Sequence, residues 1–391
     1  MGGISRGWRP LLFTLPLLVL IPFLFSVSEL HQSQKSINMA KKRSTKYDHL
    51  VLGEPAGVGL PNRLQCQGLK ALNKTQFSSS SHRLKSRDKV SVVTVFAVYN
   101  RSQSLKFGDK ATDTVTVGNS SYNKLEKSMA ILNVFINFIQ VSMPQSSVII
   151  LSDPASDLSL HRDYVRLIPI QGDYSREKLM LQRIRSYIGF LGARYEEISQ
   201  QANHVNHFVF TDSDMAVVDD LGSLFNTYSD FDLALTFRNN KDQPLNSGFI
   251  AVRGTSDGIL KARNFLQEVL EVYRTKFIKA SRMLGDQMAL AWVVKSYSSF
   301  ATKRFNRPEP FIDKVHGVSV LFLPCAVYNW TPPEGAGQFH GMPLDVKVVH
   351  FKGSRKRLML ESWNYFNSSG ASDFSDMLCL VLKSGRTKYD F

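Results

Sequence analysis

Short runs of apolar residues recur along the chain from residue 90 onward and mark the strands of a buried sheet. The first run, residues 90–98, is rich in Val, and residues 147–151 form a second run of Val, Ile and Leu. Runs of this kind are typical of strands that are buried on both faces. Further strands are predicted at residues 165–169, 207–210, 232–237, 248–252, 320–323 and 346–349.

Helical periods separate several of these strands. Apolar residues that recur every three or four positions predict helices over 125–139, 180–195 and 259–277, and another helix opens at Gly285. Strands that alternate with helices at this spacing favour a parallel arrangement. We therefore predict an α/β fold with a mostly parallel sheet that is flanked by helices.

The first 88 residues have a different character. Residues 11–27 carry no charge and are mostly apolar, and Arg6 and Arg9 precede them. A helix of this length spans roughly 25 Å, which is at the short end for a bilayer. A cleaved signal peptide is the alternative, but no cleavage site of the Ala-x-Ala kind follows the run, and Ser26-Val27-Ser28 is the nearest approach to one. We expect a cytoplasmic tail at 1–10, a transmembrane signal anchor at 11–27, a flexible lumenal stem at 28–88 and a folded domain at 89–391.

The net charge of the 391-residue chain is +15, which by itself suggests a nucleic-acid partner. Most of this surplus lies in the N-terminal arm, because residues 28–89 hold 12 Lys or Arg against 4 Asp or Glu. The folded part is therefore nearly balanced, and nucleic-acid binding is not expected.

Sequons and cysteines are consistent with a lumenal chain. Five Asn-x-Ser/Thr sequons occur, at Asn73, Asn100, Asn119, Asn329 and Asn367. The three cysteines, at positions 66, 325 and 379, allow at most one disulfide bond, and the pairing stays open.

The strongest candidate chemistry is the sequence Asp212-Ser213-Asp214, which directly follows the strand at 207–210. Open α/β sheets bind their ligands at the carboxyl ends of strands. Two carboxylates one residue apart can share a divalent ion, and oxygen ligands suit Mn²⁺ or Mg²⁺. The alternative is an ordinary turn or helix cap.

His350 ends the apolar run 346–349 and opens a basic segment. A histidine at a strand end can supply a third metal ligand. The Lys and Arg residues at positions 352, 355, 356 and 357 offer positive charge for a diphosphate, and Gly353 permits close backbone approach. The alternatives are a structural histidine and a solvated basic turn.

Two tryptophans carry weaker expectations. Trp292 stands among apolar neighbours, which favours a place in the core. Trp330 precedes Pro332-Pro333, which favours a loop over the site.

The order of four short motifs resembles the retaining GT-A glycosyltransferases typified by glycogenin, galactinol synthase and bacterial galactosyltransferases. Here the motifs are Asp212-Ser213-Asp214, Asn246-Ser247-Gly248, Asp286-Gln287 and His350 to Lys356, and the resemblance covers about residues 90–365. Plant Golgi transferases that attach arabinose or galactose to cell-wall glycans are also similar in the first two motifs.

The resemblance implies a GT-A, Rossmann-like catalytic domain that transfers a sugar from a nucleotide sugar, expected to be a UDP-sugar, to a glycan or glycoprotein. It implies a Mn²⁺ or Mg²⁺ cofactor, transfer with retention, and a type II membrane protein of the Golgi. The implied metal ligands are Asp212, Asp214 and His350. The remaining implied roles are donor contacts at Ala97, Tyr99, Asn100, Asp212, Ser213, Gly353 and Lys356, and catalytic roles at Asn246, Asp286 and Gln287.

Other functions stay open at this point. Inverting transfer would need a carboxylate base, for which Asp286 is the candidate, although Asp286 could equally be a helix cap. A lumenal metal-dependent phosphoesterase or nucleotidyltransferase would also use paired carboxylates. A non-catalytic GT-A subunit of an enzyme complex is a further alternative. The donor sugar, the acceptor and the oligomeric state are not predicted.

Overall fold

The computed structural model describes residues 63–64, 89–98, 114–117, 120–156, 158, 160–200, 205–238, 240, 243–280, 284–297, 305, 309–332, 342–343 and 345–368. The tail and anchor expected at 1–27, and nearly all of the expected stem, lie outside this set. Within it, no helix combines the length and the apolar character that crossing a membrane requires.

The described chain contains short strands throughout. In chain order they are β1 (Arg63–Leu64), β2 (Lys89–Val95), β3 (Val115–Val117), β4 (Ser120–Tyr122), β5 (Ser147–Ser152), β6 (Val165–Pro169), β7 (Asn206–Thr211), β8 (Met215–Val217), β9 (Leu233–Phe237), β10 (Leu245–Val252), β11 (Phe311–Val315), β12 (Val318–Pro324), β13 (Met342–Pro343) and β14 (Val348–His350).

The helices fall mostly between the strands of the sheet. They are α1 (Lys124–Ser142), α2 (Leu179–Gln200), α3 (Gly222–Thr227), α4 (Ser256–Val272), α5 (Gly285–Lys295), α6 (Cys325–Tyr328) and α7 (Lys356–Ser368). A π-helical turn, Tyr273–Phe277, extends α4, and a 3₁₀ turn, Gly353–Arg355, precedes α7.

Eight strands form one sheet in the spatial order β11-β12-β9-β10-β7-β2-β5-β6. Strands β6, β5, β2 and β7 pair in parallel, and so do β9 and β12. Strand β10 is antiparallel to both β7 and β9, and β11 is antiparallel to β12. Six of the eight strands therefore share one direction, and the prediction of a mostly parallel sheet flanked by helices is confirmed.

Helices cover both faces of this sheet. One face packs against α1 and α7 and the other against α2, α4 and α5. Because successive strand residues point to opposite faces, Val92 packs on the α1 side and Val93 on the α2 side, and both are fully buried. This double burial explains why β2 consists of an almost uninterrupted apolar run.

Local sequence signals fix where helix α1 begins. The Asn123 side chain accepts hydrogen bonds from the backbone N–H groups of Leu125 and Glu126, and the Glu126 carboxylate accepts one from the Asn123 N–H. This reciprocal capping box satisfies donors that the first turn would otherwise leave unpaired. Helix α1 can therefore start on a polar residue directly after the β3–β4 hairpin.

A small second sheet positions the candidate site. Strand β8 pairs antiparallel with β14, and His350 lies opposite Met215. Only three residues separate the end of β7 from the start of β8, so the β14 partner is brought to the carboxyl end of the central sheet. A further pair, β1 with β13, joins residues 63–64 to 342–343.

Both tryptophan expectations were wrong. Trp292 is 46% exposed, because α5 turns its buried face inward and leaves Met288, Trp292 and Lys295 on the outside. Trp330 is only 2% exposed, because its backbone bridges Val349 and holds it in the core rather than in a loop over the site.

Candidate metal and donor site

The aspartates of Asp212-Ser213-Asp214 occupy the turn between β7 and β8. The backbone N–H of Asp212 donates to the carbonyl of Gly248 on the neighbouring strand β10, at 3.1 Å. The carbonyl of Asp214 accepts from the N–H of Phe351, at 2.9 Å. The turn is thus held from both sides, and its carboxylates lie at the carboxyl end of the central sheet, as predicted.

The structure brings His350 to these two carboxylates. Its Nε2 lies 3.3 Å from Oδ1 of Asp214 and 3.7 Å from Oδ2 of Asp212. One ligand atom from each of the three residues lies within 4.8 Å of the others. His350 and Asp214 are buried, whereas the Asp212 side chain is 28% exposed. The predicted convergence of residues 136 positions apart in the sequence is therefore confirmed.

Asp214 is an ionised, incompletely satisfied carboxylate. Burial raises its pKa, but the ammonium of Lys356 beside it opposes burial, and the pKa lies well below the usual range. Its Oδ2 pairs with the Lys356 ammonium at 3.1 Å, while its buried Oδ1 accepts no hydrogen bond within the described part of the chain. A buried carboxylate oxygen without a donor is a site that a cation can satisfy.

Gly248 leaves the space in which this site forms. A Cβ atom at this position would lie 2.9 Å from Oδ2 of Asp212 and 2.9 Å from Cε1 of His350. Both contacts are closer than a methyl group tolerates. The third position of the Asn-Ser-Gly motif is therefore required by close approach rather than by backbone conformation.

We expect Gly248→Ala to lower the affinity for Mn²⁺ by about 5- to 150-fold, because overpacking of this kind costs roughly 1–3 kcal/mol and each 1.36 kcal/mol is a factor of ten. Titration calorimetry with Mn²⁺ measures the change. The matched control is Gly189→Ala on α2, where a Cβ meets no atom within 4 Å. That control should bind Mn²⁺ normally. Equal affinities in the two variants would contradict the close packing around Gly248.

Arg183 of helix α2 is a site residue that the sequence reasoning missed. Its guanidinium forms ion pairs with Oδ1 of Asp212 and Oδ2 of Asp286, and donates to Oγ of Ser247 at 2.8 Å. Burial lowers its pKa, but the two carboxylates outweigh burial and raise the pKa above the ordinary value. Arg183 therefore links the Asp-x-Asp turn, the Asn-Ser-Gly strand and the Asp-Gln helix into one unit.

Asp286 and Gln287 enter the site at the start of α5. Asp286 is not a helix cap, because Leu284 is the N-cap residue and Asp286 lies within the first turn. Burial raises the pKa of the Asp286 carboxyl, and the Arg183 guanidinium opposes this effect. The Gln287 Nε2 donates to Oε1 of Gln243 at 2.9 Å, and Arg238 donates to the same oxygen at 2.7 Å.

Asn246 belongs to a polar chain beneath His350. Its Oδ1 accepts from the N–H of Gly248 at 2.9 Å and from Nδ2 of Asn329 at 3.0 Å. Nδ2 of Asn329 also contacts Oγ1 of Thr236 at 3.0 Å, and its Oδ1 lies 2.8 Å from Nδ1 of His350. In the sequence, Asn329 stands out only as a sequon. It is 3% exposed, so in the folded protein this sequon lies in the interior.

The segment after β14 carries the basic groups. Gly353 has a φ of 66°, which favours glycine, and starts the 3₁₀ turn that leads into α7. Lys356, the first residue of α7, reaches Asp214 and leaves its side chain 42% exposed. Burial and repulsion from Arg238 lower the pKa of Lys352 to about 7. The positive charges therefore stand beside the carboxylates, on the side of Asp214.

The remaining candidates are distributed as follows. Ser213 lies between the two aspartates in the turn, and Ala97 lies two residues beyond the end of β2. Tyr99 and Asn100 lie outside the described residues, so their expected donor contacts stay predictions. Cys325 is a buried free thiol, and Cys66 and Cys379 lie outside the described residues.

No model of a known protein family matches this chain, and no curated protein is significantly similar to it.

Proposed function

We propose that this protein is a metal-dependent glycosyltransferase that uses a nucleotide-sugar donor, with a UDP-sugar as the expected class. The observation that carries the proposal is the convergence of Asp212, Asp214 and His350 at the carboxyl end of the sheet, with Lys356 bound to one of the carboxylates. A cation site flanked by lysines suits a ligand that carries a diphosphate.

The three ligands fit a divalent cation such as Mn²⁺ or Mg²⁺. Metal–ligand distances of about 2.1 Å place neighbouring ligand atoms about 3 Å apart in octahedral geometry. The separations of 3.3 and 3.7 Å from His350 Nε2 to the two carboxylates are close to that spacing. The combination of two carboxylates with an imidazole favours Mn²⁺ over Mg²⁺, which prefers oxygen ligands.

Lys356, and Lys352 with it, would bind the diphosphate. Lys356 is half-exposed at the start of a helix, and its ammonium can contact a phosphate while remaining near Asp214. Cleavage of the bond between the sugar and the diphosphate leaves negative charge on the departing phosphate. A positioned ammonium stabilises this charge as it develops, and the bound cation would supply Lewis-acid stabilisation of the same group.

Arg183, Asp286, Asn246 and Gln287 would form the wall against which the donor sugar binds. Both oxygens of Asp286 are engaged, Oδ2 by Arg183 and Oδ1 by the N–H of Gln287. This engagement favours a holding role for Asp286 over that of a general base. We therefore favour transfer with retention, in which the departing phosphate takes the proton of the acceptor hydroxyl on the same face of the sugar.

The cellular setting is part of the proposal. The uncharged segment at 11–27 and the basic, polar stretch that follows it support a single-pass type II anchor and stem, with the catalytic domain in the Golgi lumen. The proposed acceptor is accordingly a glycan or glycoprotein. The basic arm is assigned to the stem and not to a nucleic-acid site.

The test is incubation of the purified full chain with individual UDP-sugars, Mn²⁺ and glycan acceptors. Release of UDP together with a glycosylated acceptor, abolished by EDTA and restored by Mn²⁺, is the expected result. Phosphate-ester hydrolysis or nucleotidyl transfer with no glycosylated product would instead indicate the alternative enzyme class. Metal binding with no turnover of any donor would indicate a non-catalytic subunit.

A further inference from the structure

Asn329 stands behind the proposed metal site, and its amide contacts only one of the three metal ligands. It follows helix α6 and lies 21 positions before His350 in the sequence. Its side chain is buried, so its hydrogen bonds form away from solvent. Hydrogen bonds are stronger there than in water, and leaving one unmade costs more free energy. These contacts define which atoms donate and which accept.

One backbone group sets the directions of the hydrogen bonds that run from Gly248 through Asn246 and Asn329 to His350. The N–H of Gly248 can only donate, so the atom of Asn246 that faces it, at 2.9 Å, is the carbonyl oxygen Oδ1. The same oxygen lies 3.0 Å from the Asn329 amide, so Asn329 must present its Nδ2 there. Its other amide atom, Oδ1, is consequently an acceptor that faces Nδ1 of His350 at 2.8 Å.

An acceptor at Oδ1 requires a proton on Nδ1 of His350. In the neutral imidazole the lone pair is then on Nε2, the atom that faces Asp212 and Asp214. Three electron-rich atoms therefore converge with no proton between them, and a cation is the species that satisfies them. Metal-binding histidines are commonly oriented in this manner by a partner on the other ring nitrogen.

We propose that Asn329 is a positioning residue that fixes the tautomer and the ring orientation of His350 for metal binding. This inference rests on the proposed metal site and adds to it a residue that contacts neither the metal nor the substrate. It also connects the metal site to the Asn-Ser-Gly strand. The series of hydrogen bonds that sets the tautomer starts at the N–H of Gly248 and reaches Nδ1 of His350 through Asn246 and Asn329, which leaves the lone pair on Nε2.

The test compares Asn329→Leu with Asn329→Asp in the purified full chain, without donor or acceptor. The Leu variant removes the acceptor, and we expect about 10–100-fold weaker Mn²⁺ binding in titration calorimetry. The Asp variant keeps an oxygen that accepts from Nδ1 and should bind Mn²⁺ within a few-fold of wild type. If the Asp variant loses as much affinity as the Leu variant, an acceptor beside Nδ1 of His350 does not sustain Mn²⁺ binding, and the inference is overturned.

The tautomer itself can be measured in the metal-free wild type. Long-range ¹H–¹⁵N spectra of the histidine rings, with His350→Gln to assign the signal, should show the proton on Nδ1. A proton on Nε2 would overturn the inference even if the variants failed to fold. In the Leu variant we expect the Nε2-protonated form, which is the commoner tautomer of an unconstrained imidazole, to appear.

Two further variants separate the possible failures. Thr331→Ala removes the sequon and keeps the Asn329 side chain, so it should bind Mn²⁺ as wild type does. Weak binding in this variant would assign the effect to the sequon and not to the amide. Asp214→Asn should lose Mn²⁺ binding. If it does while Asn329→Leu binds normally, only the inference on Asn329 fails, whereas unchanged binding in Asp214→Asn contradicts the metal site and the proposed function.

Discussion

Asp214→Asn is expected to lower metal-dependent sugar transfer by about 10³-fold while the protein stays folded. Stabilisation of transition-state charge by a bound metal contributes several kcal/mol, and each 1.36 kcal/mol corresponds to a factor of ten in rate. The substitution replaces a buried charged oxygen that accepts no hydrogen bond among the described residues. The measurements are kcat/KM at saturating Mn²⁺ and the shift in melting temperature on addition of Mn²⁺, which the variant should lose.

The matched control for this variant is Asp219→Asn. Asp219 also pairs with a lysine, Lys347, at 3.0 Å, but its side chain is 53% exposed and it lies outside the site. Exposed pairs contribute little to stability, so this control should retain both activity and the Mn²⁺-dependent shift. Retained transfer in Asp214→Asn would refute the assignment of this carboxylate to the metal.

The difference in the free energy of unfolding between wild type and Asp214→Asn should also depend on pH in a defined direction. The native pKa of Asp214 lies below its ordinary value of 3.8. A depressed native pKa contributes stability that is fully present above the unfolded pKa and is lost as the pH falls from that value through the native pKa. Wild type should therefore be the more stable protein at neutral pH, and the difference should shrink in acid.

The sequence predicted the central sheet because burial on both faces leaves a clear trace. Strand β2 shows it in the apolar pair Val92 and Val93, which serve opposite faces. Strand β8 left no such trace, because three residues are too few for a period and its partners in β14 lie 131 to 135 positions later. The apolar pattern thus predicted the strands that are buried on both faces of the sheet. It failed for a short strand such as β8, which forms because it pairs with a segment distant in the sequence.

The site residues that directly follow predicted strands were predicted from the sequence. The charged residue on a helix, Arg183, was missed. Arg183 follows Met180 by three positions and precedes Tyr187 by four, so it shares the apolar face of α2. A charged residue on a buried face is rarely without a partner, and this pattern was a usable signal. For Trp292 the sequence held a signal of exposure. Met288 and Lys295 lie on the same side of α5, and the charge of Lys295 indicates that this side faces solvent.

The second large effect is expected at Arg183. Arg183→Met leaves the carboxylates of Asp212 and Asp286 facing each other, and Asp286 is only 3% exposed. Breaking a buried ion pair by removing one partner costs about 3–5 kcal/mol. A loss of this size should lower the melting temperature by about 10 °C in a domain of this size. Arg185→Met, an exposed position two residues along the same helix, is the matched control and should melt as wild type does.

The double variant Arg183→Met with Asp286→Asn decides whether the uncompensated charge is the cause. Removing both members of a buried pair is often close to neutral, so most of the lost stability should return, although sugar transfer should not. The single variant should also regain stability relative to wild type as the pH is lowered. Burial already raises the pKa of Asp286, and without Arg183 the pKa rises further, so protonation on folding becomes favourable at higher pH. If the double variant is no more stable than Arg183→Met, packing of the arginine side chain, and not its charge, holds these three elements together.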